Sequence, residues 1–162
     1  MPSTHKKVII RKTNRDWLNG YVAPDFIVDG SVEVLTTSGN VVRVGLADIR
    51  GVFFVRDFND SEALTRKTFT TRPRSEGLWV RLRFRDNEIL EGMMANDLSQ
   101  LSAAGLFINP PDTRANTQRI FVPHTAVSEV KVLAVIGSRP RKRKGAPADE
   151  RQQEMFEQEH SA

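Results

Sequence analysis

Ala47–Phe58 reads ADIRGVFFVRDF, and within it Val52-Phe53-Phe54-Val55 is the run on which the fold turns. Four consecutive β-branched and aromatic residues suit a strand covered on both faces. Just ahead, Leu46-Ala47-Asp48-Ile49-Arg50-Gly51 reads as one short helical turn between two strands. Arg56-Asp57 returns the chain to water. We expect this run to be the central strand of a small β-barrel.

Working back towards the N-terminus, Val32–Thr36 and Val41–Val44 form a hairpin around Ser38-Gly39-Asn40. Asp29-Gly30 is a turn and Phe26–Val28 a short extended piece. Trp17–Val22 is a strand with Gly20 inside it, the mark of a sharp bend or bulge. Thr13-Asn14-Arg15-Asp16 is a polar turn, and Lys6–Arg11 the first strand.

Beyond the central run, Asn59–Glu76 is a polar connector broken by Arg72-Pro73-Arg74. Leu78–Phe84 is the clearest strand in the chain. Leu78, Val80, Leu82 and Phe84 fall on one face, and Trp79, Arg81, Arg83 and Arg85 alternate with them on the other. Asp86-Asn87 is its turn, and Glu88–Met94 returns with its own glycine, Gly92. Leu106–Asn109, Arg119–Val122 and Val130–Ile136 complete the strands, with a short turn at Pro123–Ser128.

The order strand, turn, glycine-kinked strand, strand, strand, one-turn helix, strand thus occurs twice. We read residues 1–136 as one β domain of two repeats, roughly 6–58 and 77–136, sharing a core. Residues 137–162 change character. SRPRKRKGAPA has nothing to bury and is expected to be a disordered basic linker. Asp149–His160 has the composition of a weak helix, with Met155 and Phe156 its only large apolar residues.

Composition narrows the function. At 162 residues and 39% apolar, the chain suffices for one ordinary core. No apolar run approaches the ~18 residues of a membrane span, and the N-terminus has no signal-peptide pattern. The absence of cysteine removes disulfides and thiolate metal sites and points to a reducing, cytoplasmic setting. His5, His124 and His160 are widely separated, and no metal-ligand spacing, phosphate loop or nucleophile elbow occurs. No catalytic residue, cofactor or metal is therefore assigned.

The net charge of +4 is mild, but it is unevenly placed. Arg81, Arg83 and Arg85 stand about 7 Å apart along one strand face, a spacing that suits extended phosphates, with Trp79 beside them to stack a base. The plainer reading, which we favour, pairs these charges with Glu88 and Glu91 across the hairpin. Asp86, Glu88 and Glu91 are themselves read as solvated charges. In the tail, Arg141, Lys142, Arg143 and Lys144 are a second candidate contact with nucleic acid or an anionic membrane surface. Phe53, Phe54, Phe84, Phe107 and Phe121 all lie in strands and are read as core.

The repeated unit resembles the Sm-like fold of five bent strands, most clearly in VRLRFRDNEILEGMM at Val80–Met94. Leu101 stands where the Sm uridine site has Asn, and Pro123-His124 where it has Arg-Gly, so the resemblance implies the fold and no uridine site. A closer resemblance is to an uncharacterised bacterial domain family often encoded beside or fused to PilZ and signalling domains. It is carried by LADIRGVFFVRDF (46–58), LWVRLRFRDNEILEGMM (78–94) and GLFINPPDTRANTQRIFVPHTAVSEVKVL (105–133). Members usually show two asparagines before the RIFV strand and Asp-Gly at the turn; this chain has Asn116-Thr117 and Asp86-Asn87. The resemblance implies a tandem barrel without a catalytic site. Fragments of the PilZ motif occur at Arg81/Arg85, Arg11/Arg15 and Asp97-Leu98-Ser99. However, Arg81–Arg85 lies in a strand and Ser102 replaces the motif's glycine, so cyclic di-GMP is not expected to bind.

The sequence therefore leads to an all-β protein of two Sm-like repeats. We expect a non-catalytic binding or regulatory module acting on a protein partner or ligand. The alternative is a nucleic-acid binder working through the arginine strand and basic tail.

Overall fold

The computed structural model describes residues 4–58, 66–97, 99, 104–112 and 114–137. The first half contains β1 (Lys6–Lys12), β2 (Trp17–Val22), β3 (Ile27–Val28), β4 (Ser31–Thr36), β5 (Val41–Gly45), a one-turn 3-10 helix at Leu46–Asp48, and β6 (Ile49–Val55). The second contains β7 (Gly77–Phe84), β8 (Ile89–Met94), β9 (Gly105–Ile108), β10 (Thr117–Pro123), a one-turn helix at His124–Ala126, and β11 (Val127–Ile136). The protein is all-β, and no α-helix occurs among the described residues. The helix expected at Asp149–His160 and the basic linker lie outside them.

Local chemistry sets the turns. Asp29 and Gly30 both take positive φ, 50° and 74°, the backbone of a two-residue hairpin loop whose twist matches its strands. Asn87 holds φ 67° after β7, a position where glycine would be unstrained and asparagine is tolerated.

All the pairings are antiparallel. Eight strands form one sheet, ordered β3-β4-β2-β1-β6-β10-β9 with β5 on the far side of β4; β11-β7-β8 form a second. An isolated bridge joins the two sheets: Met93 N–H donates to Asn109 O at 2.9 Å, and Asn109 N–H to Met93 O at 2.8 Å. Neither half closes into a barrel, which corrects the expectation from the sequence. After its one-turn helix, β6 pairs with β1 on one side, and its other edge is taken by β10 of the second half. β6 is thus central, as its apolar run implied, but central to a joint between halves.

Two clusters of buried side chains fill the interior, and each draws on both halves. One gathers Ile9 and Phe53 with Val80, Leu82, Phe84, Ile108 and Ile120. The other gathers Val8, Ile10, Val32, Val34, Ile49 and Val52 with Phe121.

Gly20 and Gly92 share one physical reason. A Cβ on Gly20 would stand 2.4 Å from Val34 Cγ1 and 2.6 Å from Leu35 O; one on Gly92 would stand 2.8 Å from Asn109 O. Each glycine lets the next strand cross a bent one at close range. Gly20→Ala and Gly92→Ala are each expected to cost about 1–3 kcal/mol, since backbone must move to admit the methyl. Urea midpoints measure this, and unchanged midpoints would show that the crossings have room.

Candidate functional site

β7 and β8 bring together the residues singled out from the sequence. Arg81 lies directly opposite Glu91 in the register. Its Nε and Nη2 donate to Glu91 Oε2 at 3.2 and 3.0 Å. Glu91 Oε1 accepts from Trp79 Nε1 at 3.2 Å and from the Phe69 N–H at 3.1 Å. Glu91 is only 3% exposed, so the reading of it as a solvated charge is corrected. Four N–H donors, two of them from the Arg81 cation, compensate its removal from water. The pairing of Arg81 across the hairpin is the one the sequence favoured. Trp79 presents its ring to the edge of Phe69, centroids 5.9 Å apart.

The other two arginines of this strand turn elsewhere. Arg83 Nε stands 3.8 Å from Glu129 Oε2 on β11, and Arg85 Nε donates to Thr125 O at 2.6 Å. The stripe therefore shares a face but has no common focus. Arg141, Lys142, Arg143 and Lys144 lie outside the described residues.

A second charged region spans the halves. Arg50 of β6 bonds both Asp86 and Glu88, the latter at 2.5 Å, and lies 4.5 Å above the Phe84 ring. The Glu88 N–H, donating to Asp86 Oδ1 at 3.1 Å, and the Arg50 guanidinium hold the Asp86 carboxyl below the usual carboxylate range. Arg11, Lys12, Arg15 and the exposed Trp17 line the same cleft.

A cavity of about 400 Å³ is the feature that sequence reasoning missed. Phe26, Phe54 and Phe107 form its apolar wall, with Phe26 edge-on to the other two at 5.8 and 6.1 Å. Thr4, Lys6, Asn109 and Gln118 supply polar atoms. Arg119 of β10, opposite Phe54 in the β6–β10 ladder, lays its guanidinium 3.8 Å from the Phe107 ring centroid. Partial burial lowers its pKa, and among the described residues no carboxylate stands within ion-pair distance of it. Phe53, Phe84 and Phe121 are core as read; Phe54 and Phe107 are half-buried and face this cavity. The signal available was Arg119 two residues before Phe121, a cation on the same strand face as an aromatic residue. That no described carboxylate pairs with it has no sequence signature.

These features define an all-β protein of two antiparallel sheets with an aromatic-walled cavity beside a cation that has no carboxylate partner among the described residues. Among its described residues no group of side chains is spaced to hold a metal, and no helix is long and apolar enough to cross a membrane. The chain belongs to DUF6982, a family of unknown function, whose family model matches residues 4–134. Comparison with curated proteins and with solved structures returned no match.

Asn116, the asparagine this chain keeps before β10, has a structural role. Asn116 Oδ1 accepts from the Arg56 and Asp57 N–H groups at 3.1 and 2.9 Å, and its Nδ2 donates to Asp57 O at 2.7 Å, which clamps the end of β6 to the start of β10. Its neighbour Thr117 is fully buried.

Proposed function

We propose that this protein is a non-catalytic binding module of the bacterial cytoplasm. It is built of two Sm-like repeats, and its ligand is a small anion with an aromatic or other apolar body, held in the cavity beside Arg119. The observation that carries this reading is the exposed Arg119 side chain with its guanidinium over the Phe107 ring and, among the described residues, no carboxylate within ion-pair distance. Desolvating a cation costs free energy, and an anionic ligand would offset that cost where the protein does not. The cavity volume falls within the ~300–1,000 Å³ of small-molecule sites, and apolar walls with few polar groups are their usual lining.

The nucleic-acid reading has less support, since Arg81 and Arg83 already face carboxylates and Arg85 a carbonyl. An electrophoretic shift with random RNA and DNA at two salt concentrations tests it directly.

The probe for the cavity is 8-anilinonaphthalene-1-sulfonate, which joins an aromatic body to an anion. Its fluorescence should rise saturably with one equivalent per chain. A charge-assisted hydrogen bond contributes about 1.5–3 kcal/mol, so Arg119→Gln should weaken binding about ten- to hundredfold. The uncharged analogue N-phenyl-1-naphthylamine should be indifferent to that substitution. Equal sulfonate affinity in wild type and a folded Arg119→Gln variant would remove the guanidinium from the site.

A further inference from the structure

Through the Met93–Asn109 bridge the strands form one continuous ladder, β5-β4-β2-β1-β6-β10-β9-β8-β7-β11, and its two ends carry unpaired edges among the described residues. β5 pairs only with β4, and β11 only with β7. Five of the seven exposed large apolar side chains stand on these two strands: Val41 and Val42 on β5, and Val130, Val132 and Val135 on β11. Val41, Val132 and Val135 are each more than half exposed, at 64%, 51% and 58%. An exposed edge of valines is a template for another strand.

The joint inside the chain shows which strand fits. It pairs β6, the strand after the first one-turn helix, with β10, the strand before the second. The free edges are the same two parts exchanged: β5 precedes the first one-turn helix and β11 follows the second. Setting Leu46–Asp48 on His124–Ala126 places Phe54 on Val132, Val52 on Val130, Arg119 on Val41 and Phe121 on Arg43. The observed pairs Arg119↔Phe54 and Phe121↔Val52 then become Val41↔Val132 and Arg43↔Val130.

Backbone direction agrees with this register. The Glu33 N–H donates to Phe26 O, away from β5, so Arg43 opposite it and Val41 turn their own N–H and C=O outward. The Phe84 N–H donates to Glu88 O and the Arg85 N–H to Ala126 O. Arg83 and Arg81 therefore bond Glu129 and Lys131, and Val130 and Val132 present free groups outward.

We infer that the protein assembles head to tail, with β11 of one copy pairing antiparallel with β5 of the next in the register of the internal β6–β10 joint. The occupant of each edge is a second copy, because the chain already contains this interface once and leaves its two complementary parts at opposite ends. The inference is independent of the ligand in the cavity. Such a heterologous contact yields a ring where the rotation closes and a filament where it does not.

Sedimentation velocity on the full chain over a wide concentration range tests it. Wild type should show concentration-dependent species larger than a monomer. Val41→Pro and Val132→Pro each remove one outward N–H without touching the internal ladder, and each variant alone should sediment as a folded monomer. Mixed in equal amounts they should form a one-to-one dimer, because each retains the edge that the other lacks. Val41→Lys and Val132→Lys repeat the test where proline impairs folding. Wild type that stays monomeric at every concentration overturns the inference, as would follow if the segment after Gly137 covered β11. Single variants that assemble like wild type, or folded variants that fail to pair when mixed, overturn it equally.

Discussion

Phe53→Ala is expected to lower stability by about 3–5 kcal/mol, the range for emptying a buried aromatic site, while Phe54→Ala should cost markedly less. The two residues are neighbours in one apolar run, and sequence alone treats them alike. Phe53 is 5% exposed and packs in the cluster that includes Ile9, Val80, Leu82 and Ile120. It is also opposite Ile9 and Ile120 in its two ladders. Removing its ring leaves an enclosed void whose lining loses contacts outright. Phe54 points the other way, meeting Phe26 and Phe107 at the cavity. Its removal enlarges a space that is already open, so the void contributes little and mainly transfer energy is lost. Chemical denaturation of both variants measures the difference. Against a total of about 5–15 kcal/mol for a typical domain, the Phe53 loss is large. Equal losses would mean that the cavity wall packs as tightly as the core.

Glu91→Ala is the other substitution with a large expected effect, about 3 kcal/mol. Breaking a buried ion pair costs about 3–5 kcal/mol where the remaining charge stays buried. Here the Arg81 side chain is 43% exposed and can turn towards water, which places the cost at the lower end. The Trp79 Nε1–H and the Phe69 N–H lose their acceptor as well. Glu91→Gln keeps an oxygen for these neutral donors and should cost about half as much. Denaturation midpoints give the ranking, and the emission of Trp79 should shift as its indole loses its bond. A Glu91→Ala variant as stable as Glu91→Gln would show that the neutral donors find other partners.

The same carboxylate marks where sequence reading stops. In ILEGMM at Ile89–Met94, Glu91 sits near a hairpin turn, and a charge there is normally solvated. Its burial follows from the Lys67–Phe69 segment lying along β8, where the Glu91 N–H donates to Lys67 O at 2.7 Å. That contact joins parts of the chain separated by a polar connector, and no local pattern announces it. Arg119 is the converse case. Its face of β10 follows from period two, but the absence of a carboxylate partner among the described residues depends on which side chains the fold carries to it.

The sequence by itself determined what is local. Alternation in Leu78–Phe84 placed Val80, Leu82 and Phe84 inside and Arg83 outside, because successive side chains on a strand point to opposite faces. Gly20 and Gly92 marked bent strands, Asp29-Gly30 a tight turn, and the apolar run at Val52–Val55 a strand covered on both sides. Only the tertiary structure decided which strand covers which. A period-two pattern states that a strand's edge needs a partner without saying whose, since every backbone offers the same N–H and C=O groups. The pairing of β6 with β10 therefore opened the expected barrels into one ladder. The same pairing set Phe54 and Phe107 around a cavity and left β5 and β11 as its two ends among the described residues.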